Sequence, residues 1–273
     1  MMMTEADPVV EALGGLSVAA PASLSGKVFA SWVAAPSRLG DVFVAFTGDG
    51  INYLRTGASV HGDADEFCEA YRHQFGRPLR PAGRPPRGLL AALRGQSAGW
   101  PPLDLGGLSD FERDVLEATR RVPAGEIRPY GWIAREAGRP RAVRAAGSVL
   151  ARNPIPLLIP CHRVVRADGR LGHYLFGTDR KEQLLREEKV NVDEVLALAG
   201  AGVHFVASDT TGVVCFPSCH HARRITPRHR HGFARIDTAL EAGYRPCRRS
   251  TPRARPPWTR RSGGSPWPPP TPG

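Results

Sequence analysis

The chain has 273 residues, and 41% of them are apolar, which suffices for one or two domains with real cores and excludes wholesale disorder. Its formal net charge of +11 favours an anionic partner such as nucleic acid. The charge is unevenly placed, because residues 201–273 contain 12 arginines against 3 acidic residues. The basic excess therefore belongs mainly to the C-terminal part.

The cysteines and the N-terminal sequence indicate a cellular compartment. Five cysteines cannot all pair with one another, and residues 1–15 carry acids where a secretory leader would have a basic region and an apolar core. We therefore predict a reducing cytoplasm, where thiols stay available as nucleophiles or metal ligands. No stretch approaches about 18 uninterrupted apolar residues, so no membrane span is expected.

The first predicted domain is a small α/β unit over residues 25–104, preceded by a flexible leader over 1–24. Three β-rich runs follow Lys27, reading KVFASWVAA, DVFVAFT and INYLRTG. The Gly-Asp-Gly of residues 48–50 predicts a hairpin between the last two runs. Helical spacing of apolar residues predicts a helix over 63–75.

The second predicted domain, residues 105–190, is mostly helical. Ser109 and Glu112 form a capping box, and the pattern predicts three helices, over 111–122, 130–137 and 141–152. The last two flank a turn at Gly138, which is typical of a helix-turn-helix, and a plain helical bundle fits the same pattern. A closing helix is predicted over 179–189.

The rest of the chain predicts a third, smaller unit. We expect a linker over 191–200, a small α+β module over 201–251 and a disordered tail over 252–273, where half of the residues are proline or glycine.

Cys161 is the candidate nucleophile of the second domain. It directly follows an apolar run and stands between Pro160 and the basic pair His162 and Arg163, which are groups that stabilise a thiolate. A buried cysteine acting as a small hydrophobe is the alternative. The chemistry alone permits a cysteine hydrolase as readily as a transferase.

Three segments together carry a more specific pattern. RPYGWIA, RPRAVRAAGSVLARNPIPLLIPCHRVV and RKEQLLREE, which lie between residues 128 and 188, resemble the active domain of O6-alkylguanine-DNA alkyltransferases. The resemblance implies a ribonuclease-H-like fold for the preceding α/β domain. It also implies repair of double-stranded DNA after the damaged base has been flipped out of the helix.

The resemblance assigns catalytic roles to four residues. Cys161 takes the alkyl group from guanine O6, His162 relays the thiol proton through water, Glu188 orients that imidazole, and Tyr130 donates a proton to the departing guanine. For Glu188 the alternative is an exposed helix carboxylate, with Glu187 next to it making the choice sensitive to register. For Tyr130 the alternative is a structural hydroxyl.

The resemblance also implies DNA-contacting residues. Arg144 enters the vacated base stack, and small residues keep its helix thin enough to approach a minor groove. Core packing explains small residues equally well, and an Asn-Pro step is a common helix stop. The implied set is Arg144, Ala142, Ala145, Gly147, Asn153 and Tyr174.

One segment departs from the family pattern. Where many members carry a small Tyr-Ser-Gly or Tyr-Gly-Gly wall, this chain has His173-Tyr174-Leu175-Phe176-Gly177. Leu175 and Phe176 either narrow the pocket or pack behind it. We predict methyl transfer with reduced tolerance of bulky adducts.

Three cysteines near the C-terminus suggest a metal site. Cys215 and Cys219 are four residues apart and Cys247 follows, and the surrounding TTGVVCFPSCHHARR and EAGYRPCRRS resemble the zinc-binding module of Ada-type proteins. The resemblance implies Zn²⁺ and makes Cys215 a second methyl acceptor. Ser250 stands where the family has its fourth cysteine. Water or a nearby histidine would have to replace it, the candidates being His220, His221, His229 and His231.

The expected function is therefore DNA repair by stoichiometric, irreversible transfer of a methyl group from O6-alkylguanine, and from O4-methylthymine, to Cys161 in a monomeric protein. The transfer itself needs no cofactor. Two rivals remain, a DNA-binding regulator that senses methylphosphotriesters through Cys215, and an alkyltransferase-like lesion binder without chemistry, which the presence of Cys161 disfavours. The arginines of the C-terminal part offer nonspecific phosphate contacts, or belong to a solvated surface: Arg223, Arg224, Arg228, Arg230, Arg248 and Arg249.

Overall fold

The computed structural model describes residues 28–96 and 99–248. The predictions for the leader, for Ser250, for Arg249 and for the tail concern residues outside those ranges. The described residues divide into two compact units. The first comprises 28–96, 99–109, 152–161 and 175–180, and the second comprises 110–151, 162–174 and 181–248. Among the described residues, no helix is long and apolar enough to cross a membrane.

The first unit is built on a four-stranded sheet. Its strands are β1 (Ala30–Ser37), β2 (Gly40–Phe46), β3 (Ile51–Thr56) and β4 (Leu79–Pro81). The order is β3-β2-β1-β4, with antiparallel pairing except between β1 and β4, which are parallel. The three predicted strands and the hairpin after Phe46 are confirmed. A short helix, α2 (Leu89–Leu93), follows α1 (Ala64–Phe75).

An aromatic cluster fills the core of this sheet domain. Helix α1 begins after Asp63, whose carboxylate accepts from the backbone N–H of Asp65, and it buries Phe67 and Tyr71. The Phe67 ring lies 5.4 Å from the rings of both Phe43 and Tyr53, on β2 and β3. The alternation of the strands and the helical spacing of α1 place these rings together.

The second unit begins with the predicted helices. They are α3 (Asp110–Arg120), α4 (Tyr130–Glu136) and α5 (Val143–Ala151), and each agrees with its prediction to within about two residues at either end. Strands β5 (Arg128–Pro129) and β6 (Val164–Val165) pair in parallel. Helix α6 (Thr178–Glu187) ends two residues before the predicted closing helix of 179–189 does, so Glu188 lies just past the helix and not within it.

The remainder of the second unit contains one element that the sequence did not predict. The predicted linker over 191–200 contains a helix, α7 (Val192–Gly200), because Asn191 caps it by accepting from Glu194 N and Val192 is buried. A sheet of order β10-β8-β7-β9 follows, as expected for an α+β module. Its strands are β7 (Phe205–Ser208), β8 (Val213–Cys215), β9 (Arg230–Phe233) and β10 (Arg245–Pro246), with α8 (Ile236–Glu241) between the last two.

Candidate active site and cysteine cluster

Cys161 lies at the end of a buried loop of the first unit. The loop is fixed to β3 by a hydrogen bond from Leu54 N to Pro154 O of 2.8 Å. Leu157 within it adopts φ of +71°, a backbone conformation that costs about 1–3 kcal/mol and is retained where surrounding structure imposes it. Cys161 itself is 5% exposed. The apolar run thus folds into a rigid support for the thiol.

Asn153 organises this loop around the sulfur. Its Nδ2 donates to Cys161 Sγ at 3.2 Å and to Ile159 O at 3.0 Å, while its Oδ1 accepts from Ile155 N at 3.0 Å. Asn153 is fully buried. A hydrogen bond donated to sulfur favours the thiolate form, so this asparagine supports nucleophilicity as well as loop shape.

In the second unit, the residue after the cysteine is paired with a carboxylate. Nε2 of His162 lies 3.0 Å from Oε1 of Glu188, and both side chains are buried. Glu187, the alternative in the sequence, instead accepts from Gln183 on an exposed face. The structure therefore brings Glu188, and not its neighbour, to the histidine.

Arg163 holds the same carboxylate from a second side. Its Nε donates to Glu188 Oε2 at 2.7 Å and its Nη2 donates to Oε1 at 2.9 Å, while Nη1 donates to Val122 O. Burial acts to raise the pKa of Glu188, but the hydrogen bonds and charges of His162 and Arg163 outweigh it and hold that pKa well below its usual range. Glu188 is consequently ionised at neutral pH.

A buried lysine fixes the strand that follows these residues. Nζ of Lys181 donates to Val164 O and to Leu171 O, each at 2.5 Å, and the side chain is fully buried. Lys181 was not among the residues predicted to support the site. Its spacing of three and four from the buried Leu184 and Leu185 already placed it on the inner face of α6.

The Tyr130 ring lies between two glycines. A Cβ on Gly147 would lie 3.9 Å from Cδ1 of this ring, and one on Gly172 would lie 4.0 Å from Cε2. The Tyr174 ring meets His162 edge-on at a centroid distance of 6.1 Å. The small residues of α5 therefore accommodate an aromatic ring as well as presenting a thin helix.

Helix α5 has one exposed and one buried face. Arg144 and Ala145 are exposed, Ala142 and Gly147 are half-buried, and Ala146 is fully buried. Core packing thus accounts for Ala146, whereas the four residues of this segment implied to contact DNA reach the surface. Asn153, which belongs to the same implied set, is instead fully buried against the cysteine loop. In residues 173–177, which differ from the family pattern, Leu175 is 40% exposed and Phe176 is half-buried.

The three C-terminal cysteines come together in the second unit. The sulfur atoms of Cys215, Cys219 and Cys247 lie within 4.8 Å of one another, and all three residues are buried. Among the described residues no histidine joins this group. Two of the histidines considered as replacement ligands, His229 and His231, instead lie 2.8 and 3.4 Å from the carboxylate of Asp209.

This donor set fits a zinc ion. Zinc prefers thiolate sulfur, and three thiols gathered on short strands and one loop give most of a tetrahedral site. A hydrogen bond from Cys215, with further help from the backbone N–H of His221 and the charge of Arg128, lowers the pKa of Cys219 to about 5. That hydrogen bond and burial raise the pKa of Cys215. The contact between the two thiols therefore favours ionisation of Cys219 over ionisation of Cys215.

A basic cleft of about 810 Å³ opens beside the cluster. Cys215 and Cys247 line it together with Arg224, Arg228, Arg245 and Arg248. Two arginines predicted to face phosphate have other partners, because Arg223 donates to Lys189 O and Arg230 pairs with Glu194. The cleft thus concentrates part of the basic excess next to a thiol.

Comparison with known proteins gives two family matches. Residues 110–190 match the model for 6-O-methylguanine DNA methyltransferase, DNA binding domain, and residues 198–253 match the model for the metal binding domain of Ada. A methyltransferase (OGT) from Mycobacterium tuberculosis, solved in complex with DNA, is 30% identical, and this chain covers 98% of it with 61% of its own length, at a TM-score of 0.47. The segment 110–190 belongs to the O6-methylguanine-DNA methyltransferase family.

Curated relatives in this methyltransferase family are similar to about a third of the chain. The bifunctional transcriptional activator/DNA repair enzyme Ada of Escherichia coli is 48% identical over 90 residues, which are 33% of this chain and 25% of that protein. The methylated-DNA–protein-cysteine methyltransferase of Salmonella typhimurium is 45% identical over 82 residues, 30% of this chain and 48% of that protein. The match thus spans between a quarter and about half of their length.

Proposed function

We propose that this protein repairs alkylated DNA by moving a methyl group from O6 of guanine to Sγ of Cys161. The main support comes from two adjacent residues. The buried thiol of Cys161 accepts a hydrogen bond from Asn153, and the next residue, His162, is paired with the ionised Glu188. The relatives named as methylated-DNA–protein-cysteine methyltransferases support the same reaction. O4-methylthymine is a second proposed substrate.

The chain's own residues supply the nucleophile. Because the Glu188 carboxylate accepts from Nε2 of His162, the other ring nitrogen, Nδ1, takes the proton of the Cys161 thiol through a water molecule. The ionised carboxylate stabilises the imidazolium that results. Hydrogen bonding from Asn153 holds the sulfur as a thiolate while it attacks.

The transfer breaks one bond and forms one. The Cys161 sulfur bonds the methyl carbon as the carbon–O6 bond breaks, and the electron pair of that bond remains on guanine. The Tyr130 hydroxyl donates a proton to the guanine anion. Because O6 is inaccessible in a duplex, the nucleotide must leave the stack, at a cost of about a few kcal/mol, and Arg144 on the exposed face of α5 fills the gap.

The product fixes the stoichiometry. S-methylcysteine is a thioether, which has no leaving group that water or His162 can displace. Each protein molecule therefore acts once.

Mass spectrometry tests the proposal directly. The full chain is mixed with duplex DNA carrying one O6-methylguanine, and one added methyl group on the peptide containing Cys161 is expected. The variant Cys161→Ala should bind the duplex and gain no methyl at that peptide, with Cys68→Ala as the matched control. Undiminished loss of the lesion with Cys161→Ala would refute the proposal.

A second candidate function rests on the C-terminal cluster. Cys215 lines a cleft with four arginines, which is a surface that suits a DNA phosphate, so it can accept a methyl group from a methylphosphotriester and act as a sensor. Bound zinc would supply charge that keeps the three thiols as thiolates. Methyl appearing on the Cys215 peptide with phosphotriester-containing DNA would support this function.

We further propose the finer organisation suggested by the sequence. Residues 25–104 form a ribonuclease-H-like domain, supported by three antiparallel strands followed by a helix and a strand parallel to the first. Residues 105–190 act as the alkyltransferase domain and 201–251 as the metal module. The protein acts as a cytoplasmic monomer, consistent with five cysteines present as thiols.

A further inference from the structure

The five residues that follow Cys215 are packed against the segment that leads to Tyr130. We name residues 216–220, which include Cys219, the cluster loop. Ser218, at its centre, accepts from Ile127 N at 2.9 Å and donates to Ile127 O at 3.2 Å, and its side chain is buried. One hydroxyl thus satisfies both backbone groups of the residue immediately before β5.

The ends of the cluster loop make two further contacts, one with the residue before Ile127 and one with the residue after it. The backbone N–H of His220 donates to Glu126 Oε1 at 3.3 Å. At the other end, the ring of Phe216, the residue after Cys215, lies under the guanidinium of Arg128 at 5.1 Å. Residues on both sides of Ile127 therefore each have a contact with the loop.

Arg128 carries this connection into helix α4. It forms a buried ion pair with Glu126, donates to Ile127 O at 2.8 Å, and lies 5.6 Å from the ring centroid of Trp132. Trp132 is buried in α4, the helix that begins at Tyr130. The path from Cys215 to this helix thus passes through Phe216, Arg128 and Trp132 without a gap.

The junction also has room to change. A cavity of about 440 Å³ borders it and is lined by Ile127, Phe216 and Ser218, among others. A loop fixed at Cys215 and Cys219 by a shared ligand has fewer conformations than one whose thiols are not bridged. Its contacts with residues 126–128 are therefore more uniform when the cluster is occupied.

We propose that the cluster loop is a positioning element for β5 and α4, so that occupancy of the Cys215, Cys219 and Cys247 cluster sets the rate of alkyl transfer at Cys161. Ser218 and Arg128 are positioning residues that act through Tyr130. The expected change in transfer rate rests on the proposed alkyl transfer. The effect of the cluster on residues 126–136 can be measured by hydrogen exchange without that reaction.

The experiment uses the full chain with and without zinc, and three variants. Ser218→Ala removes the hydroxyl, Ser218→Thr keeps it, and Thr238→Val removes a hydroxyl of the same module that bonds only Arg235 O on the surface. Two quantities are measured, the single-turnover rate of methyl transfer to Cys161 and the amide hydrogen exchange of peptides covering residues 126–136. The peptide covering α3 serves as the internal reference.

Removing zinc from the native chain should slow transfer by about fivefold or more and speed exchange at residues 126–136 but not in α3. Ser218→Ala should do the same, and zinc removal should then have little additional effect, because the connection is already broken. Ser218→Thr and Thr238→Val should behave like the native chain. If Ser218→Ala does not fold, Phe216→Leu, which removes the ring under Arg128, replaces it.

The outcomes separate this inference from the proposed function. If the native chain transfers methyl but neither zinc removal nor Ser218→Ala alters rate or exchange, the coupling is wrong. Fully additive effects of the two changes would also overturn it. If the native chain transfers no methyl, the proposed function fails, and the exchange measurements alone decide the coupling.

Discussion

The carboxylate of Glu188 accepts from the Nε2 of His162 at 3.0 Å, across 26 positions of the chain. Replacing Glu188 by glutamine removes the charge that stabilises an imidazolium, so methyl transfer to Cys161 should slow about 100-fold. The matched control is Glu187→Gln, since that carboxylate is exposed and bonds only Gln183 among the contacts described. Single-turnover rates of both variants, compared with circular dichroism, measure the effect. Equal slowing by both would exclude a specific role for Glu188.

The same residue predicts how stability depends on pH. The pKa of Glu188 in the folded protein lies below its ordinary value of 4.5, because His162 and Arg163 favour the ionised form. Its stabilising contribution is therefore complete above about pH 4.5 and is lost as pH falls through the folded-state pKa. Urea unfolding from pH 7 to pH 3 should show the native chain more stable than Glu188→Gln at neutral pH, by about 3 kcal/mol, with the difference shrinking in acid. A difference that stays constant below pH 4 would contradict this assignment.

Local patterns were enough to predict most elements of the fold. Alternation and turn residues located β1 to β3, and helical spacing with a capping box located α3 to α5, because these features depend on near neighbours in sequence. Helix α7 was missed because VDEVLALAG is short and lies within the segment expected to be a linker. Its Asn191 cap was readable beforehand, whereas the burial of Val192 depends on residues far away in the chain.

The site was predictable in composition but not in geometry. The resemblance assigned Glu188 as well as Tyr130, Cys161 and His162. Helical spacing alone could not exclude Glu187, since one residue rotates a side chain by about 100° around a helix. The partners of Lys181, Arg163 and Ser218 were also beyond reach. Each joins segments that only tertiary folding brings together.

Lys181 should be essential to the fold around the cysteine-histidine segment. Lys181→Met keeps the aliphatic volume but leaves the carbonyls of Val164 and Leu171 without their donor, so the free energy of unfolding should fall by about 2 kcal/mol or more. Lys189→Met, at an exposed lysine, should change it by less than about 0.5 kcal/mol. Chemical denaturation of both variants gives the comparison. Unaltered stability of Lys181→Met would mean that the two carbonyls find other donors.

Arg144 should matter only when the substrate is a duplex. Its side chain is exposed on α5, where it can fill the gap that a flipped nucleotide leaves, and a free base requires no flipping. Arg144→Ala should therefore slow repair of O6-methylguanine in duplex DNA by about tenfold or more and leave the reaction with free O6-methylguanine unaltered. Arg94→Ala, at an exposed arginine of the first unit, is the control. Equal slowing on both substrates would indicate that Arg144 supports the fold instead.

The segment after Tyr174 should restrict the size of the alkyl group. Leu175 is 40% exposed whereas Phe176 is half-buried, so Phe176 is the better placed of the two to limit space. We expect the native chain to react with O6-methylguanine at least about tenfold faster than with O6-benzylguanine in the same duplex. The benzyl group is several carbons larger than a methyl group, so it cannot enter the pocket without displacing packed side chains. Phe176→Ala should reduce that preference, and Leu175→Ala should leave it nearly unaltered. Comparable native rates for the two adducts would show that this segment packs away from the alkyl group.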